Sequence, residues 1–215
     1  FKGLFGRAVL SASHYALILG FTTPVGEQGC NTARAALLNA GWRSARGGLQ
    51  INRFNTSCLE AMNLAAARIT AGYGEVIIAG GIECMSRVPT YLNGGPMLND
   101  PSTVINSHYI PQGVAADLVA GSNNISREEL DAYAVKSHAK AVAAQQAGHY
   151  AKGLERITDA NGLIILAEDT LPRPGLNAEE LAELAPRFSE MGLAGFDEMA
   201  LHRFPLVDHV EHCHT

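Results

Sequence analysis

Residues 49–87 constrain the fold of this chain more than any other stretch of the sequence. Within residues 58–71 the apolar side chains recur at the spacing of a helix, and Gly72 stands where a helix would end. Residues 75–79 are mostly apolar and run into two glycines, which is typical of a fully buried strand. The pattern therefore predicts a helix followed by a buried strand that ends at a glycine loop.

The predicted helix is rich in alanine, and small side chains allow a helix to lie close to other backbone. We therefore expect the helix in the interior of the protein. Its first turn is polar and carries Cys58, and the dipole and free N–H groups of a helix start favour a thiolate. A nucleophile is expected at such a position.

The sequence NRFNTSCLEAMNLAAARI, followed by VIIAGGIECMSR, closely resembles the nucleophile segment of the thiolases, which transfer acyl groups to and from coenzyme A. That family has NR-x-C-x-SG-L-x-A and then AGG-x-E-x-MS. Asn55 stands at the position of the family's nucleophilic cysteine, and Cys58 stands at the position of the family's glycine. The resemblance therefore implies a thiolase segment whose thiol is missing from the expected position.

Asn55 has no ionisable nucleophile, although its amide can hydrogen-bond an acyl oxygen. Three explanations stay open: a diverged and inactive subunit, an altered nucleophile, or an inaccurate reading of the sequence. Cys58 is the alternative nucleophile, but three residues of helix add about 4.5 Å of rise. A misplacement of about 1 Å can reduce a rate a hundredfold, so the two positions are not interchangeable. Cys58 is otherwise expected to be a small, buried packing residue.

The resemblance implies an α/β fold, the layered αβα domain of the thiolases with an inserted, mostly helical loop domain. Residues 1–92 are expected to form part of the N-terminal catalytic domain, and residues 93–203 the loop domain. Residues 204–215 are expected to return into the N-terminal domain. The C-terminal domain is expected to be absent, so that N- and C-terminal parts of a thiolase are missing from these 215 residues.

Local patterns predict further elements on both sides of the nucleophile segment. Residues 16–21 are typical of a buried strand, and residues 31–40 of a helix. Residues 93–106 are rich in Gly, Pro, Asn and Ser and predict a loop. Residues 126–129 form a capping box that opens a long helix, which we expect to end near residue 147.

The activity that the resemblance implies is thiolytic cleavage of 3-ketoacyl-CoA to acetyl-CoA and a shortened acyl-CoA in fatty acid β-oxidation. The segments INRF, YIPQGVAADL, NGLIIL and GFDEMAL are most similar to β-subunits of bacterial trifunctional fatty-acid-oxidation complexes. Coenzyme A is then a substrate, with no covalently bound cofactor. The expected partners are a second copy, as a homodimer or tetramer, and the α-subunit of such a complex.

Two other functions remain as alternatives. One is an inactive thiolase-fold subunit or fragment, and the more distant one is a condensing ketosynthase. Thiolases also use an Asn-Glu-Ala-Phe segment, a Gly-His-Pro histidine and a Cys-x-Gly-Gly-Gly cysteine, and none of these motifs occurs in the 215 residues. We therefore expect the chain as written to be inactive in thiolysis.

Several other residues are weaker candidates for the site. The resemblance places Gln112 and Gly113 in the lid stretch near the pantetheine tunnel, so both are expected to contact substrate. Glu83 is expected to accept hydrogen bonds from backbone donors near the nucleophile helix, and Cys84 to pack in the loop. Two arginines either meet coenzyme A phosphates or are ordinary surface residues, and these are Arg173 and Arg187.

The end of the sequence has the composition of a zinc site, with His209, His212, Cys213 and His214. No second ligand pair stands at the usual spacing in the sequence. The segment also resembles the family's metal-free HVH-x-x-GN strand. We therefore expect no metal.

Composition and charge exclude several classes of function. The net charge is −5 without a basic run, so nucleic-acid binding is not expected. Four cysteines without regular spacing predict free thiols in a reducing compartment, and we expect a cytoplasmic protein. We expect neither a targeting sequence nor a membrane span, because no sustained apolar stretch occurs.

Overall fold

The computed structural model of the chain describes residues 15–42 and 47–215. The chain divides between Gly95 and Pro96 into two compact units, residues 1–95 and residues 96–215. Each unit is described by itself. The first fourteen residues of the predicted catalytic domain lie outside the described part of the chain.

The first unit is a parallel sheet of three strands in the order β2-β1-β3, with a helix in each crossover. Leu17 of β1 pairs with Gly48 of β2 and with Ile78 of β3. The strand at 16–21 and the helices at 31–40 and 58–71 are thus confirmed within one or two residues. The bounds are β1 (Tyr15–Gly20), α1 (Thr32–Asn39), β2 (Gly48–Ile51), α2 (Ser57–Thr70) and β3 (Val76–Gly81).

The two helices of this unit cover opposite faces of the sheet. Successive side chains of a strand point to opposite faces. Leu17 and Leu19 accordingly pack with Leu37 on the α1 side, whereas Ile18 packs with Ala61 and Ala65 on the α2 side. The layered α/β class predicted from the sequence is therefore confirmed.

The expectation that β3 is fully buried is wrong, and the expectation that α2 lies in the interior holds for one side of the helix alone. Ala61 and Ala65 of α2 are buried, but Leu59 and Met62 on the opposite side are 57% and 55% exposed. The residues of β3 are half-buried or exposed throughout. Within the described residues β3 pairs with β1 alone, so it lies at an edge of the sheet, and edge strands keep one side open.

The second unit is mainly helical and contains one short antiparallel hairpin, β4 with β5. Its long helix begins at the predicted capping box: Ser126 Oγ accepts from Glu129 N–H at 3.3 Å, and Glu129 Oε2 accepts from Ser126 N–H at 2.9 Å. The bounds are α3 (Pro96–Asn99), α4 (Pro101–Ser107), α5 (Gln112–Ser122), α6 (Arg127–Gln146), β4 (Ile157–Thr158), β5 (Ile164–Leu166), α7 (Ala178–Ala182), α8 (Ser189–Met191), a π-helical turn (Gly192–Phe196) and α9 (Asp197–Arg203).

The prediction of a loop over residues 93–106 is wrong for most of that range, which contains α3 and all but the last residue of α4. The polar composition that suggested a loop contains helix-start signals. Asp100 accepts a hydrogen bond from Thr103 N–H at 2.9 Å as the cap of α4, and Pro101 occupies the first helical position.

Arg127 joins α6 to the region of α7 in the second unit. Its Nε donates to Asp131 Oδ2 at 2.8 Å, one helical turn along α6. The same guanidinium donates to the carbonyl oxygens of Leu181 and Leu184. The pair is mostly buried, which fixes the connection between these helices.

The last residues of the chain contact α5 of the second unit. Arg187 N–H donates to the carbonyl oxygen of His214 at 2.8 Å, and residues 212–214 lie against Asp117 of α5. The return of residues 204–215 into the first domain stays a prediction. Across residues 15–42 and 47–215, no helix has the length and apolar character that crossing a membrane requires.

Candidate functional site

The loops that follow the three parallel strands meet at one edge of the sheet. Parallel strands all end on the same side, and α/β proteins bind ligands outside the carboxyl ends of their strands. The loop after β2 leads into α2 and contains Asn55, and the loop after β3 contains Glu83 and Cys84. The segment singled out from the sequence therefore lies at the edge where a site is expected.

Asn55 lies in a tight turn just before α2, and it is exposed. Phe54 has a φ of +49°, the left-handed region that a bulky side chain rarely adopts. Hydrogen bonds from Thr56 N–H to Arg53 O at 3.2 Å and from Ser57 N–H to Phe54 O at 3.0 Å close the turn. Strained backbone of this kind is typical of functional positions.

Ser57 holds this turn from the inside, with a side chain that is 3% exposed. Its Oγ accepts a hydrogen bond from Arg53 N–H at 2.8 Å. The hydroxyl also lies 2.6 Å from Phe54 O and 3.1 Å from Phe21 O, and it can donate to one of them at a time. The start of α2 is therefore fixed to the end of β1.

Two glycines allow α2 to approach the sheet closely. A Cβ on Gly20 would lie 2.4 Å from the carbonyl carbon of Ser57, so the two backbones leave no room for a side chain. A Cβ on Gly81 would lie 2.9 Å from Cys58 Cβ and 3.4 Å from Cys58 Sγ. The bare backbone of Gly81 thus makes room for Cys58.

Cys58 is exposed, so the expectation of a buried packing cysteine is wrong. Asn55 also lies in the turn and not on α2, so the helical rise does not give the separation of the two positions. Cys58 presents a thiol in the first turn of α2, whereas Asn55 presents an amide that can form hydrogen bonds but cannot attack a carbonyl.

Glu83 accepts hydrogen bonds from backbone donors beside the nucleophile turn, as predicted. Its Oε2 accepts from Thr22 N–H at 2.8 Å and from Thr23 N–H at 3.4 Å, and its Oε1 accepts from Gln28 Nε2 at 2.8 Å. Gln28 Oε1 in turn accepts from the backbone N–H of half-buried Cys84 at 2.7 Å. Burial alone would raise the pKa of Glu83, but these hydrogen bonds outweigh it and hold the pKa below its ordinary value.

The predicted substrate residues Gln112 and Gly113 lie at the start of α5. Gln112 is exposed, whereas Gly113 is buried beneath the ring of Phe188, 2.2 Å from where its Cβ would be. Gly113 therefore makes room for an aromatic ring. Contact of either residue with substrate stays a prediction.

The two candidate arginines are exposed and lie in the second unit. Arg173 lines a groove of about 260 Å³ along α6 together with Val142, Gln146 and Leu176, among others. Its backbone N–H donates to His138 Nδ1 at 3.1 Å. Contact of Arg173 and Arg187 with coenzyme A phosphates stays a prediction.

The second unit contains a buried polar cluster around Asp117, a residue that the sequence analysis missed although it named residues 212–214. Asp117 of α5 is fully buried, and its Oδ1 accepts from the backbone N–H groups of Cys213 at 3.1 Å and His214 at 3.0 Å. The same oxygen lies 3.4 Å from Cys213 Sγ and 2.5 Å from His214 Nδ1. A carboxylate inside the apolar run GVAADLVA is the sequence signal that points to such a cluster.

His212 bridges two carboxylates in this cluster. Its Nδ1 lies 2.8 Å from Asp117 Oδ2, and its Nε2 lies 3.0 Å from Asp197 Oδ2. Both ring nitrogens donate in an imidazolium, so the geometry suits the protonated form. Burial lowers the pKa of His212, but the hydrogen bonds to Asp117 and Asp197 prevail and raise it. Burial opposes ionisation of Asp117, yet its hydrogen bonds to His214 and His212 lower its pKa.

Two further features complete the cluster. Burial, together with the nearby Asp117 carboxylate, raises the pKa of the Cys213 thiol to about 11, so this thiol is protonated at neutral pH. Asp197 Oδ1 is buried and, within the described chain, accepts no hydrogen bond. The cluster thus combines a thiol, two imidazoles and two carboxylates.

Comparison with protein families identifies one that matches most of the chain. The family described as "Thiolase, N-terminal domain" matches residues 12–195. This range includes the nucleophile turn, Gln112 and Gly113, and α5 with Asp117. It ends before residues 212–214.

Individual proteins show the same similarity. A 3-ketoacyl-CoA thiolase of Shewanella sp. (strain MR-7) is 39% identical over 167 residues, covering 75% of this chain and 42% of the relative. A 3-ketoacyl-CoA thiolase of Psychrobacter cryohalolentis is 34% identical over 183 residues, covering 82% of this chain and 46% of the relative. The crystal structure of the Bacillus anthracis acetyl-CoA acetyltransferase superposes with a TM-score of 0.70 at 29% identity, covering 86% of this chain and 50% of that one. The chain thus spans less than half the length of the two curated relatives.

Proposed function

This chain belongs to the thiolase family, and we propose that it supplies the nucleophile-loop part of an acyl-CoA acyltransferase acting on 3-ketoacyl-CoA. One observation carries the proposal: the strained turn at Phe54, held by buried Ser57, presents position 55 at the head of α2. The products would be acetyl-CoA and a shortened acyl-CoA, as in fatty acid β-oxidation. The names of the relatives, 3-ketoacyl-CoA thiolases, support this choice of substrate.

The chemistry explains why position 55 matters. A thiolate there would attack the 3-keto carbonyl, the bond between carbons 2 and 3 would break, and acetyl-CoA would leave after taking up a proton. Coenzyme A would then take the acyl group from the thioester. The first turn of α2 stabilises negative charge at this position through its free N–H groups. Asn55 cannot form the thioester, so the chain as written performs neither step.

An inactive thiolase-fold subunit is the second candidate function, and Asn55 specifically favours it. Such a subunit would keep the turn, the glycine contacts and the Glu83 hydrogen bonds while lacking its own catalysis. Both candidates predict that the 215-residue chain does not cleave 3-ketoacyl-CoA. They differ in whether a cysteine at position 55 restores the reaction.

The proposed setting follows from the same family membership. We propose coenzyme A and acyl-CoA as ligands, with Gln112 and Gly113 in the lid stretch, and no covalently bound cofactor. We further propose a cytoplasmic protein that forms a homodimer or tetramer and associates with the α-subunit of a trifunctional complex. Light scattering of the purified chain tests the oligomer, and a monomer at micromolar concentration would contradict it.

The first experiment measures the coenzyme A-dependent loss of a 3-ketoacyl-CoA with the unmodified 215-residue chain and with the Cys58→Ser variant. We expect no turnover from either protein, because position 55 has no nucleophile. Turnover by the unmodified chain that disappears in Cys58→Ser would identify Cys58 as the nucleophile and overturn the assignment of position 55.

The second experiment decides between the two candidates. A chimaera would join the C-terminal part of a 3-ketoacyl-CoA thiolase after residue 215 and carry Asn55→Cys with Cys58→Gly. We expect this chimaera to cleave 3-ketoacyl-CoA, and the matched chimaera with Asn55→Ser and Cys58→Gly to be inactive. A folded chimaera that stays inactive with cysteine at position 55 would favour the inactive subunit.

A further inference from the structure

We propose that Asp117, Cys213 and His214 bind one divalent transition-metal ion, of the zinc type, in the second unit. The three potential ligand atoms lie within 4.8 Å of one another, and two of the residues are buried. A carboxylate, a thiolate and an imidazole are all ligands that zinc accepts. The site rests on these residues alone and does not depend on the proposed acyltransferase activity.

The distances between the ligand atoms are close to those of a tetrahedral site. Zinc bonds of about 2.3 Å to sulfur and about 2.0–2.2 Å to nitrogen and oxygen place ligand atoms roughly 3.3–3.6 Å apart. Cys213 Sγ lies 3.4 Å from Asp117 Oδ1 and 3.9 Å from His214 Nδ1. The pair Asp117 Oδ1 and His214 Nδ1, at 2.5 Å, must open by about 0.8 Å to meet the same geometry.

The His214 side chain can make this adjustment and leaves access to solvent. It is 29% exposed, whereas Asp117 is fully buried. Rotation of the imidazole is therefore less restricted than movement of the carboxylate. The exposed side also gives the ion a path inward and leaves the fourth position for a water molecule.

The surroundings of Asp117 also favour a cation. Among the described residues, four donors converge on Asp117 Oδ1, although a carboxylate oxygen has about two lone-pair sites. Two of these donors are the Cys213 thiol and the His214 ring. A cation would turn both from donors into ligands, so that fewer groups compete for the oxygen.

The net charge of the cluster also favours binding of a cation. Asp117 and Asp197 are two carboxylates, and the imidazolium of His212 between them leaves one net negative charge. Binding releases the thiol proton of Cys213 to solvent, and the ring proton of neutral His214 moves from Nδ1 to Nε2, so that Nδ1 is free to bind the ion. One divalent cation and the resulting thiolate bring the charge of the cluster to zero. His212 would then hold the Asp117 carboxylate in position from outside the ligand set.

This set of ligands differs from the candidate zinc ligands that the sequence analysis considered. His209 is exposed and is not part of the group, whereas Asp117 contributes from a position almost one hundred residues earlier. The sequence spacing of the histidines and the cysteine therefore did not reveal the set. The expectation of no metal was based on that spacing and on the resemblance of the segment to the family's metal-free strand.

Titration of the 215-residue chain with Co²⁺ and Zn²⁺ tests the site. We expect one Co²⁺ per chain with a thiolate-to-cobalt absorption band, and displacement of Co²⁺ by Zn²⁺. The triple variant Cys30→Ser, Cys58→Ser, Cys84→Ser leaves Cys213 as the one cysteine of the chain and is expected to keep the band. Absence of the band in the unmodified chain, or its loss in the triple variant, overturns the proposal.

Single variants then test the individual ligands by calorimetry with Zn²⁺. Cys213→Ser and His214→Gln are each expected to weaken Zn²⁺ binding at least tenfold. Loss of a residue that only hydrogen-bonds a metal ligand already costs about tenfold or more, and loss of a ligand itself should cost no less. Cys30→Ser and His202→Gln are matched controls at exposed positions and are expected to bind like the unmodified chain. Circular dichroism without metal identifies variants that have unfolded. Equal Zn²⁺ affinity in folded Cys213→Ser and the unmodified chain contradicts the proposal.

Discussion

Two carboxylates of this protein do the same structural task in different surroundings. Glu83 in the first unit accepts hydrogen bonds from the successive backbone N–H groups of Thr22 and Thr23. Asp117 in the second unit accepts from the successive N–H groups of Cys213 and His214. Glu83 is exposed and Asp117 is fully buried. Because the two carboxylates share this hydrogen-bond pattern and differ in burial, a difference in what they contribute to stability can be attributed to burial.

Burial also changes which chemical groups surround the carboxylate. Glu83 orders a loop beside the nucleophile turn, and its side-chain partner Gln28 is neutral. Asp117 is surrounded by a thiol and two imidazoles, because a buried charge requires partners that donate hydrogen bonds or carry opposite charge. The first region positions backbone, whereas the second concentrates ionisable groups.

Removal of the buried carboxylate should have the largest effect on stability. Asp117→Ala leaves the donors of residues 212–214 without their acceptor and should lower the free energy of unfolding by about 3–5 kcal/mol. Urea unfolding without added metal measures the change. Asp208→Ala, at an exposed carboxylate, is the control and should change it by less than about 0.5 kcal/mol. Similar changes in the free energy of unfolding for the two variants would show that the buried carboxylate contributes no more than an exposed one.

The next effect concerns close backbone packing in the first unit. A methyl group on Gly20 would overlap the backbone of Ser57, so Gly20→Ala should destabilise by about 3 kcal/mol or prevent folding. Gly80→Ala is the matched control, because its Cβ would lie 3.7 Å from Leu19 Cδ2, an ordinary contact. Thermal unfolding of the two proteins compares them. Equal melting temperatures would show that α2 does not depend on this close approach.

Ser57 should have a smaller effect than either of these positions. Ser57→Ala leaves Arg53 N–H without its acceptor and should lower the free energy of unfolding by about 1–2 kcal/mol. The control is Thr56→Ala, whose hydroxyl is exposed and donates to Arg53 O at 2.8 Å. Hydrogen exchange of the Arg53 amide should increase in Ser57→Ala and stay unchanged in Thr56→Ala. Unchanged protection in both variants would contradict the role given to Ser57.

The exposed carboxylate should show the smallest effect and a dependence on pH. Glu83→Gln should destabilise by about 1 kcal/mol at pH 7, because solvent weakens these hydrogen bonds. The folded state lowers the pKa of Glu83, so its contribution is present above about pH 5 and is lost as the pH falls below about 4. Unfolding of both proteins at pH 7 and pH 3.5 tests this. A difference that stays constant between the two pH values would show that the charge of Glu83 contributes nothing.

Local sequence patterns predicted most of the first unit and the start of the long helix in the second. The strand at Tyr15–Gly20, the helix at Ser57–Thr70 and the capping box at Ser126 depend on residues a few positions apart, so the sequence contains their signals. The same local reading failed for residues 93–106, where Asp100 and Pro101 begin a helix within a loop-like composition. It also failed for the exposed side of α2, because periodicity shows which residues share a face and not what covers that face.

The sequence by itself determined β1, α1, α2 and β3 of the first unit, the family, and the absence of a thiol at position 55. Only the tertiary structure decided that Cys58 is exposed over Gly81 and that Gly113 lies beneath Phe188. The tertiary structure alone also brings Asp117 together with Cys213 and His214. Each of these contacts joins residues far apart in the chain, and the periodicity of neighbouring residues carries no information about such distances.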